Sequence, residues 1–580
     1  METKMTIPYG IADFAELRDN GYYYVDKTRF IPYLERYKAP IFLRPRRFGK
    51  SLHVSMLSYY YDVNTADRFD TLFAGTYIGN APTSRKNQYM VLRLNFSQLS
   101  VSGTMEEMKA DFNRVVCPAL RNFVYRYERF FEGFTFDGEG NATNMLSNIL
   151  SWIPGRKIPL PYILIDEYDN FTNQLLTASK NTLYKSVTGG DSFFRTFFKT
   201  IKSGLDGGTI NTCFCTGVLP VTVDDLTSGY NLAEFLTLED DFIEMLGFNH
   251  DEAATYLRYV MERYGSDKTS FEELWALILN NYDGYRFQPE GRLLFNSTML
   301  TYFFKKFAVS HGRVPNEMTD NNLRTDTDWI RRLTRNQKNA QAVLDKLLID
   351  DELTYSQLNL LSQFDRHTFF SANFYPVSLF YLGMTTLKNR SKMSLPNLSM
   401  RSIYMHHYNV VNRVNTDDNL YQSVYDAFEE GDDRLEPLVE NYFQAYLQSL
   451  PAQVFDKVNE NFVRCSFFGL ASHFLSSCYS FSIEPNLPSG RPDLVLIGLP
   501  DTDYHNDCRV LEFKYFKKRD LDKAESYTVP RAEDIAQVKG YAADINRQFT
   551  NYRMRTYVVY IAANKWCKVW EVSNMSRSRR

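Results

Sequence analysis

Gly49, Lys50 and Ser51 stand where a short apolar run, 40–43, gives way to a helical pattern over 51–61. That layout suits phosphate chemistry. Backbone N–H groups and a helix N-terminus cradle phosphate oxygens. Lys50 would neutralise charge on the β- and γ-phosphates of ATP, and Ser51 Oγ would bind Mg²⁺. Arg44 occupies the place of the first glycine in the G-x-x-x-x-G-K-[ST] pattern, and Arg46, Arg47 and Phe48 fill the loop between. Arg46 or Arg47 would either stabilise charge developing on the γ-phosphate or position the loop against nearby carboxylates, the positioning role being preferred. A bare G-K-S is common by chance, so its partner decides. The apolar strand expected over 162–165 ends in Asp166 and Glu167. Asp166 would complete the Mg²⁺ shell and Glu167 would polarise the attacking water; without the loop, the same pair would read as a helix cap or solvated strand end. Thr216, closing a strand over 212–216, either senses the γ-phosphate or is an ordinary strand end.

A second group lies near the C-terminus. Asp493 opens an apolar strand, and Glu512 and Lys514 sit two apart on a strand expected over 509–515, so their side chains share a face. A turn-rich segment, 499–507, would pair the two strands as a hairpin. One carboxylate from each strand and a lysine would then surround one divalent cation, Mg²⁺ or Mn²⁺, which hard oxygen ligands suit. The metal would activate water while Lys514 orients or balances the nucleophile. Such a triplet is frequent in any charged protein, and an exposed hairpin with chance charges is the bland alternative. Its companions favour chemistry: Glu460 on the preceding helix as a further metal ligand, and Gln537 on the helix that follows. The order α-β-β-β-α-β fits as well. Lys517, Lys518, Arg519, Lys523, Arg531, Arg553, Arg555, Lys565 and Lys568 form a local basic rim, which suits a phosphate backbone or a merely solvated face.

The segments Ile7 to Phe14, Tyr22 to Thr28, Arg44 to Ser51 and Leu164 to Asp169 resemble the AAA-ATPase-like family, whose members carry a C-terminal PD-(D/E)xK nuclease domain. The resemblance implies that P-R-R-F-G-K-S is an ordinary phosphate loop, so Arg44 is no defect. It implies Asp493, Glu512 and Lys514 as the catalytic core, supported by Gln537 and Glu460. The Gly490-Arg491 step and Glu484 match what precedes the family's aspartate. Asn281 to Phe287 resembles a further motif, although the Asn-Pro that usually follows is Asn296-Ser297 here. Tyr381 to Thr386 and Leu395 to Leu398 more weakly resemble the region before the nuclease.

These residues need α/β scaffolds. The expected architecture is a P-loop NTPase domain over 1–290, a mainly helical or winged-helix coupling region over 291–440, and an α/β restriction-endonuclease-like domain over 441–580. At 580 residues, with 44% hydrophobic and 23% charged residues, the chain has material for several globular cores. A net charge of −3 gives no global attraction to nucleic acid, so such a partner would bind a local groove. The seven cysteines are scattered without zinc-ligand spacing, and the adjacent His406 and His407 lack a third ligand. The absence of an apolar leader or membrane-length run predicts a cytoplasmic or nuclear protein without membrane contact. A homo-oligomer stays open. The expected function is an ATP-regulated, metal-dependent endonuclease acting on DNA or RNA. The alternative is a nucleotide-controlled signalling or effector ATPase whose nuclease fold binds rather than cuts.

Overall fold

The computed structural model describes residues 5–99, 104–138, 140–170, 173–174, 192–220, 233–265, 269–315, 318, 338–361, 374–412, 414, 422, 426, 428, 434–500, 502–548 and 552–572. The chain divides into two compact units. The first comprises 1–256, 285–302 and 354–393; the second comprises 257–284, 303–353 and 394–580.

The first unit is built on strands β1 (Pro40–Leu43), β2 (Met90–Asn95), β3 (Pro161–Asp166), β4 (Thr212–Gly217) and β5 (Glu234–Phe235), in the order β2-β3-β4-β1-β5. Every neighbouring pair is parallel. β1, β3 and β4 are buried along their whole length, which is why they read as continuous apolar runs rather than alternating ones. Helices α1 (Lys50–Tyr61), α2 (Met105–Arg126), α3 (Ala142–Trp152) and α4 (Phe193–Asp206) connect or cover them. α2 starts at a capping box of Thr104 and Glu107. The helix expected over 104–132 ends at Arg126, because Tyr127 leaves helical geometry and its hydroxyl accepts the Val91 N–H of β2 at 2.8 Å. α4 buries Phe194, Phe197, Phe198, Ile201 and Leu205, the stripe of an amphipathic helix.

In the second unit, α5 (Phe271–Tyr282), α6 (Lys338–Asp350) and α7 (Leu398–Val411) precede the second sheet. The helix expected over 441–450 is a π turn at Tyr442–Tyr446 followed by a 3₁₀ turn at Leu447–Ser449. Then come α8 (Glu460–Leu475), β6 (Tyr479–Ile483), β7 (Leu494–Gly498), β8 (Asp507–Phe516), α9 (Ala532–Gln548), β9 (Arg553–Ala562) and β10 (Trp566–Glu571). The sheet order is β10-β9-β8-β7-β6. β8 is antiparallel to β7 and parallel to β9, so a long crossover containing α9 must join β8 to β9. α9 packs Val538, Tyr541 and Ile545 against Val510, Val558 and Tyr560. On α8, Phe467 meets Phe513 of β8 with ring centroids 5.3 Å apart. The mixed α/β class, the N-terminal parallel sheet, the helical middle and the C-terminal mixed sheet are as expected. Most of the helix expected over 420–430, and the tail 576–580, lie outside the described residues. Among the described residues no helix is long and apolar enough to cross a membrane.

The β7–β8 hairpin closes without spare room. A Cβ on Gly498 would lie 1.6 Å from the Tyr504 carbonyl oxygen. Gly498→Ala is therefore expected to cost about 2–4 kcal/mol in urea unfolding; a loss under about 0.5 kcal/mol would show that the hairpin yields freely.

Candidate functional sites

At the first site, three adjacent strand ends converge. Leu43 pairs with Gly217 and Asp166 with Thr216, so the loop after β1, the carboxylates after β3 and the end of β4 share the carboxyl edge of the sheet. Ligands of open α/β sheets bind at that edge. Gly49 turns into α1 at φ 88°, and Arg47 is also left-handed at φ 72°. Arg44 points away from the loop. Fully buried, it donates to Thr237 O at 2.8 Å and Ile243 O at 3.0 Å, with its guanidinium 3.9 Å from the Phe287 ring centroid. It clamps the strand end, a role glycine could not fill.

Lys50 Nζ donates to Arg44 O and Pro45 O, each at 2.9 Å. Burial pushes its ammonium down to about 8, against the pull of Asp166, Asp169 and Glu167. Ser51 Oγ donates to Asp166 Oδ2 at 2.6 Å, while Asp166 Oδ1 is buried without a hydrogen-bond partner among the described residues. Glu167 follows at φ 53°, its carboxyl pushed up by burial. The Thr216 hydroxyl is committed to Phe42 O at 3.0 Å. Arg46 is exposed and Arg47 half-buried; their carbonyls are gripped from outside the loop. Asn296 Nδ2 donates to Arg46 O at 3.3 Å, and Ser297 Oγ and Thr298 N donate to Arg47 O at 3.2 and 3.1 Å. Phe48 is buried edge-on to Tyr285 and Phe287, centroids 5.1 and 5.5 Å away. Gly383 abuts Pro45, where a Cβ would come within 2.6 Å of the proline Cβ. Tyr285 and Phe287, from the motif at 281–287, and Gly383, from the motif at 381–386, thus pack around the loop.

Asp169 closes the segment that begins at Leu164. It is buried, and its carboxylate accepts from Val218 N at 3.0 Å and Leu219 N at 2.6 Å, tying β3 to the chain after β4.

At the second site, Leu494 pairs with Leu511, which sets Asp493 beside Glu512 across the hairpin. Asp493 accepts from Phe513 N at 2.7 Å and from Arg464 Nη1 at 3.0 Å. Arg464, buried on α8, is shared with Glu484 at 2.7 Å and also meets Asn461. Lys514 Nζ donates to Glu512 Oε1 at 2.7 Å and lies 3.5 Å from Glu460 Oε1. Glu460 Oε2 accepts the Tyr515 N–H at 3.3 Å. Among the described residues, Glu512 Oε2 is buried without a hydrogen-bond partner. Burial pushes Asp493 up to about 6, with Arg464 opposing. Burial and then the Asp493 charge push Glu512 up to about 7. Burial disfavours the Lys514 charge, but the bond and charge of Glu512 outweigh it and raise its pKa.

Gln537 stands on α9 and donates to Tyr541 OH at 2.6 Å. Tyr541 lies in the field of Glu512 and Asp493. Its position one helical turn after Gln537 is the sequence signal for it. Of the basic rim, Lys517, Lys518, Arg519 and Lys523 are exposed. Arg531 is instead tied to Asp534 at 2.8 Å, and Arg555 is buried 3.2 Å from Asp507. Among the described residues no three His, Cys, Asp or Glu converge as a ready metal cluster; Arg464 and Lys514 sit among the carboxylates. The donor set still fits a hard cation, since burial and then the charges of Asp493 and Glu460 push Glu512 up and, among the described residues, one buried Glu512 oxygen is unpartnered.

These raised values set a pH dependence. Glu512 favours its neutral form when folded, so its stabilising contribution is complete below its unfolded value and is lost as pH rises through about 7. With chelator present, Glu512→Gln is expected to stabilise the protein by about 2 kcal/mol near pH 8 and by almost nothing near pH 4. Equal effects at both pH values in thermal unfolding would contradict this.

Residues 8–227 match a family described as predicted AAA-ATPase, and residues 458–571 match the PD-(D/E)XK nuclease superfamily. An uncharacterized protein encoded in the vnfD 5′ region of Azotobacter chroococcum mcd 1 is 32% identical over 133 residues, 20% of this chain. The match covers about a quarter (26%) of the length of that curated relative. The chain therefore combines an AAA-ATPase-like domain at 8–227 with a PD-(D/E)XK nuclease superfamily domain at 458–571.

Proposed function

We propose that the protein is an ATP-regulated, metal-dependent endonuclease acting on DNA or RNA. The observation that carries this reading is the buried Glu512, set beside Asp493 at the head of the adjoining strand, bonded to Lys514 through one oxygen and, among the described residues, unpartnered at the other. In the ATPase domain, Lys50 exchanges two neutral carbonyl acceptors for the anionic phosphates, a stronger partnership. Ser51 and Asp166 would hold Mg²⁺ beside the nucleotide. Glu167, whose basicity burial raises, would polarise the attacking water. Asp493, Glu512 and Glu460 would hold the second divalent ion, Mg²⁺ or Mn²⁺. When bound, the two ions would supply charge stabilisation at the phosphates and, in the nuclease, acidify water. Lys514 places a cation beside the position of attack and Gln537 orients Tyr541. The exposed Lys517, Lys518 and Lys523 offer contacts to a phosphate backbone.

A second reading, a nucleotide-controlled switch that binds without cutting, draws support from the arginine and lysine that already neutralise the carboxylates.

Labelled single- and double-stranded DNA and RNA, incubated with Mg²⁺ and with or without ATP, separate the two. The endonuclease reading expects cleavage that Lys514→Ala reduces at least ~100-fold, while ATP hydrolysis persists. Lys50→Ala should abolish hydrolysis and remove the ATP dependence of cleavage. Intact wild-type ATPase with no cleavage of any substrate would leave the binding switch.

A further inference from the structure

We propose that residues 285–302 carry the nucleotide state of the phosphate loop to the second unit, with Asn296 and Ser297 as positioning residues. The proposal rests on the ATP-binding reading and adds the route by which ATP regulates. This segment belongs to the first unit, whereas the stretches on both sides, 257–284 and 303–353, belong to the second. The chain thus leaves the second unit, touches the phosphate loop and returns.

Its contact with the loop is polar and specific. Asn296 is buried; its Nδ2 holds Arg46 O at 3.3 Å while its Oδ1 accepts Met299 N at 3.2 Å. One amide therefore grips the loop and caps the helix Ser297–Val309. Ser297 Oγ and Thr298 N both hold Arg47 O. Arg47 is in the left-handed region, which a residue with a Cβ adopts only when its surroundings impose it. The segment itself is stiffened by mutual hydrogen bonds between Tyr285 and Leu294, and between Phe248 and Phe295.

Both ends are anchored in the second unit. Asn397 Nδ2 donates to Asp283 O at 2.8 Å, and Gly284, at φ 102°, lies so close to Pro396 that a Cβ would meet its carbonyl oxygen at 2.0 Å. At the other end, Phe303 packs against Tyr282 of α5, ring centroids 5.7 Å apart. Phosphate binding must release Lys50 from the Arg44 and Pro45 carbonyls and redirect the loop peptides. The Arg46 and Arg47 carbonyls belong to those peptides, so their rearrangement loads Asn296 and Ser297 directly. A segment pinned at both ends passes that load to α5 and to residues 303–309.

Amide hydrogen exchange on the full chain tests this, with Mg²⁺ and a non-hydrolysable ATP analogue, alongside binding of a fluorescent ATP analogue. In wild type, nucleotide should change exchange in peptides from 271–284 and 303–309 by at least ~3-fold. Ser297→Ala, compared at analogue concentrations that saturate each protein, should lose more than about half of that response, and Ser297→Thr, which keeps the hydroxyl, should retain it. Bound nucleotide that leaves these peptides unchanged, or a full response in Ser297→Ala, would overturn the route while sparing the ATPase reading. Failure of wild type to bind the fluorescent analogue would remove both.

Discussion

A buried carboxylate oxygen left unpaired among the described residues is the constraint common to both sites. At Asp166, one oxygen takes the Ser51 hydroxyl and the other has no hydrogen-bond partner. At Glu512, one oxygen takes the Lys514 ammonium and the other has none. Burying such a group without a partner costs about 1–3 kcal/mol, more when it is charged. A fold tolerates this where the group has work to do, and the surrounding structure must be rigid enough to prevent escape.

The two units meet that requirement by different means. In the first, parallel strands end together, so side chains distant in sequence arrive at one sheet edge through strand order alone. The loop there is then immobilised from outside: Arg44 is buried into the strand ends, Phe48 is held between aromatic rings, and Asn296 and Ser297 grip its carbonyls. In the second, an antiparallel register places Asp493 beside Glu512, and spacing by two puts Lys514 on the same face. A shift by one residue would send Glu512 and Lys514 to the opposite face. Phe467 on α8 and the α9 core hold that register from the two sides of the sheet.

Much of this was legible in the residues. Strands β1 and β2 run as expected because they are bounded by turn residues and polar steps, and Gly49 to Ser51 announces a strand-to-helix turn. The spacing of Glu512 and Lys514 announces a shared face. What could not be read depends on long-range packing. Arg44 looked like a gap in a pattern, and only Thr237, Ile243 and Phe287 show why it is there. Arg464 carried no sequence signal, since its meaning lies in meeting Asp493 and Glu484 from another element. Arg531 and Arg555 read as exposed cations, yet Asp534 and Asp507 claim them. The π turn at Tyr442–Tyr446 follows a sequence with ordinary helical composition; there the Tyr442 hydroxyl pairs with Ser466 of α8 at 2.6 Å.

The most direct test counts divalent ions. Mn²⁺ titration followed by electron paramagnetic resonance, with a non-hydrolysable ATP analogue present, should find about two ions per chain. Asp166→Asn should remove the nucleotide-dependent ion and Glu512→Gln the other. A wild type and a Glu512→Gln variant that bind equal numbers of ions would contradict the assignment of a metal to the second site.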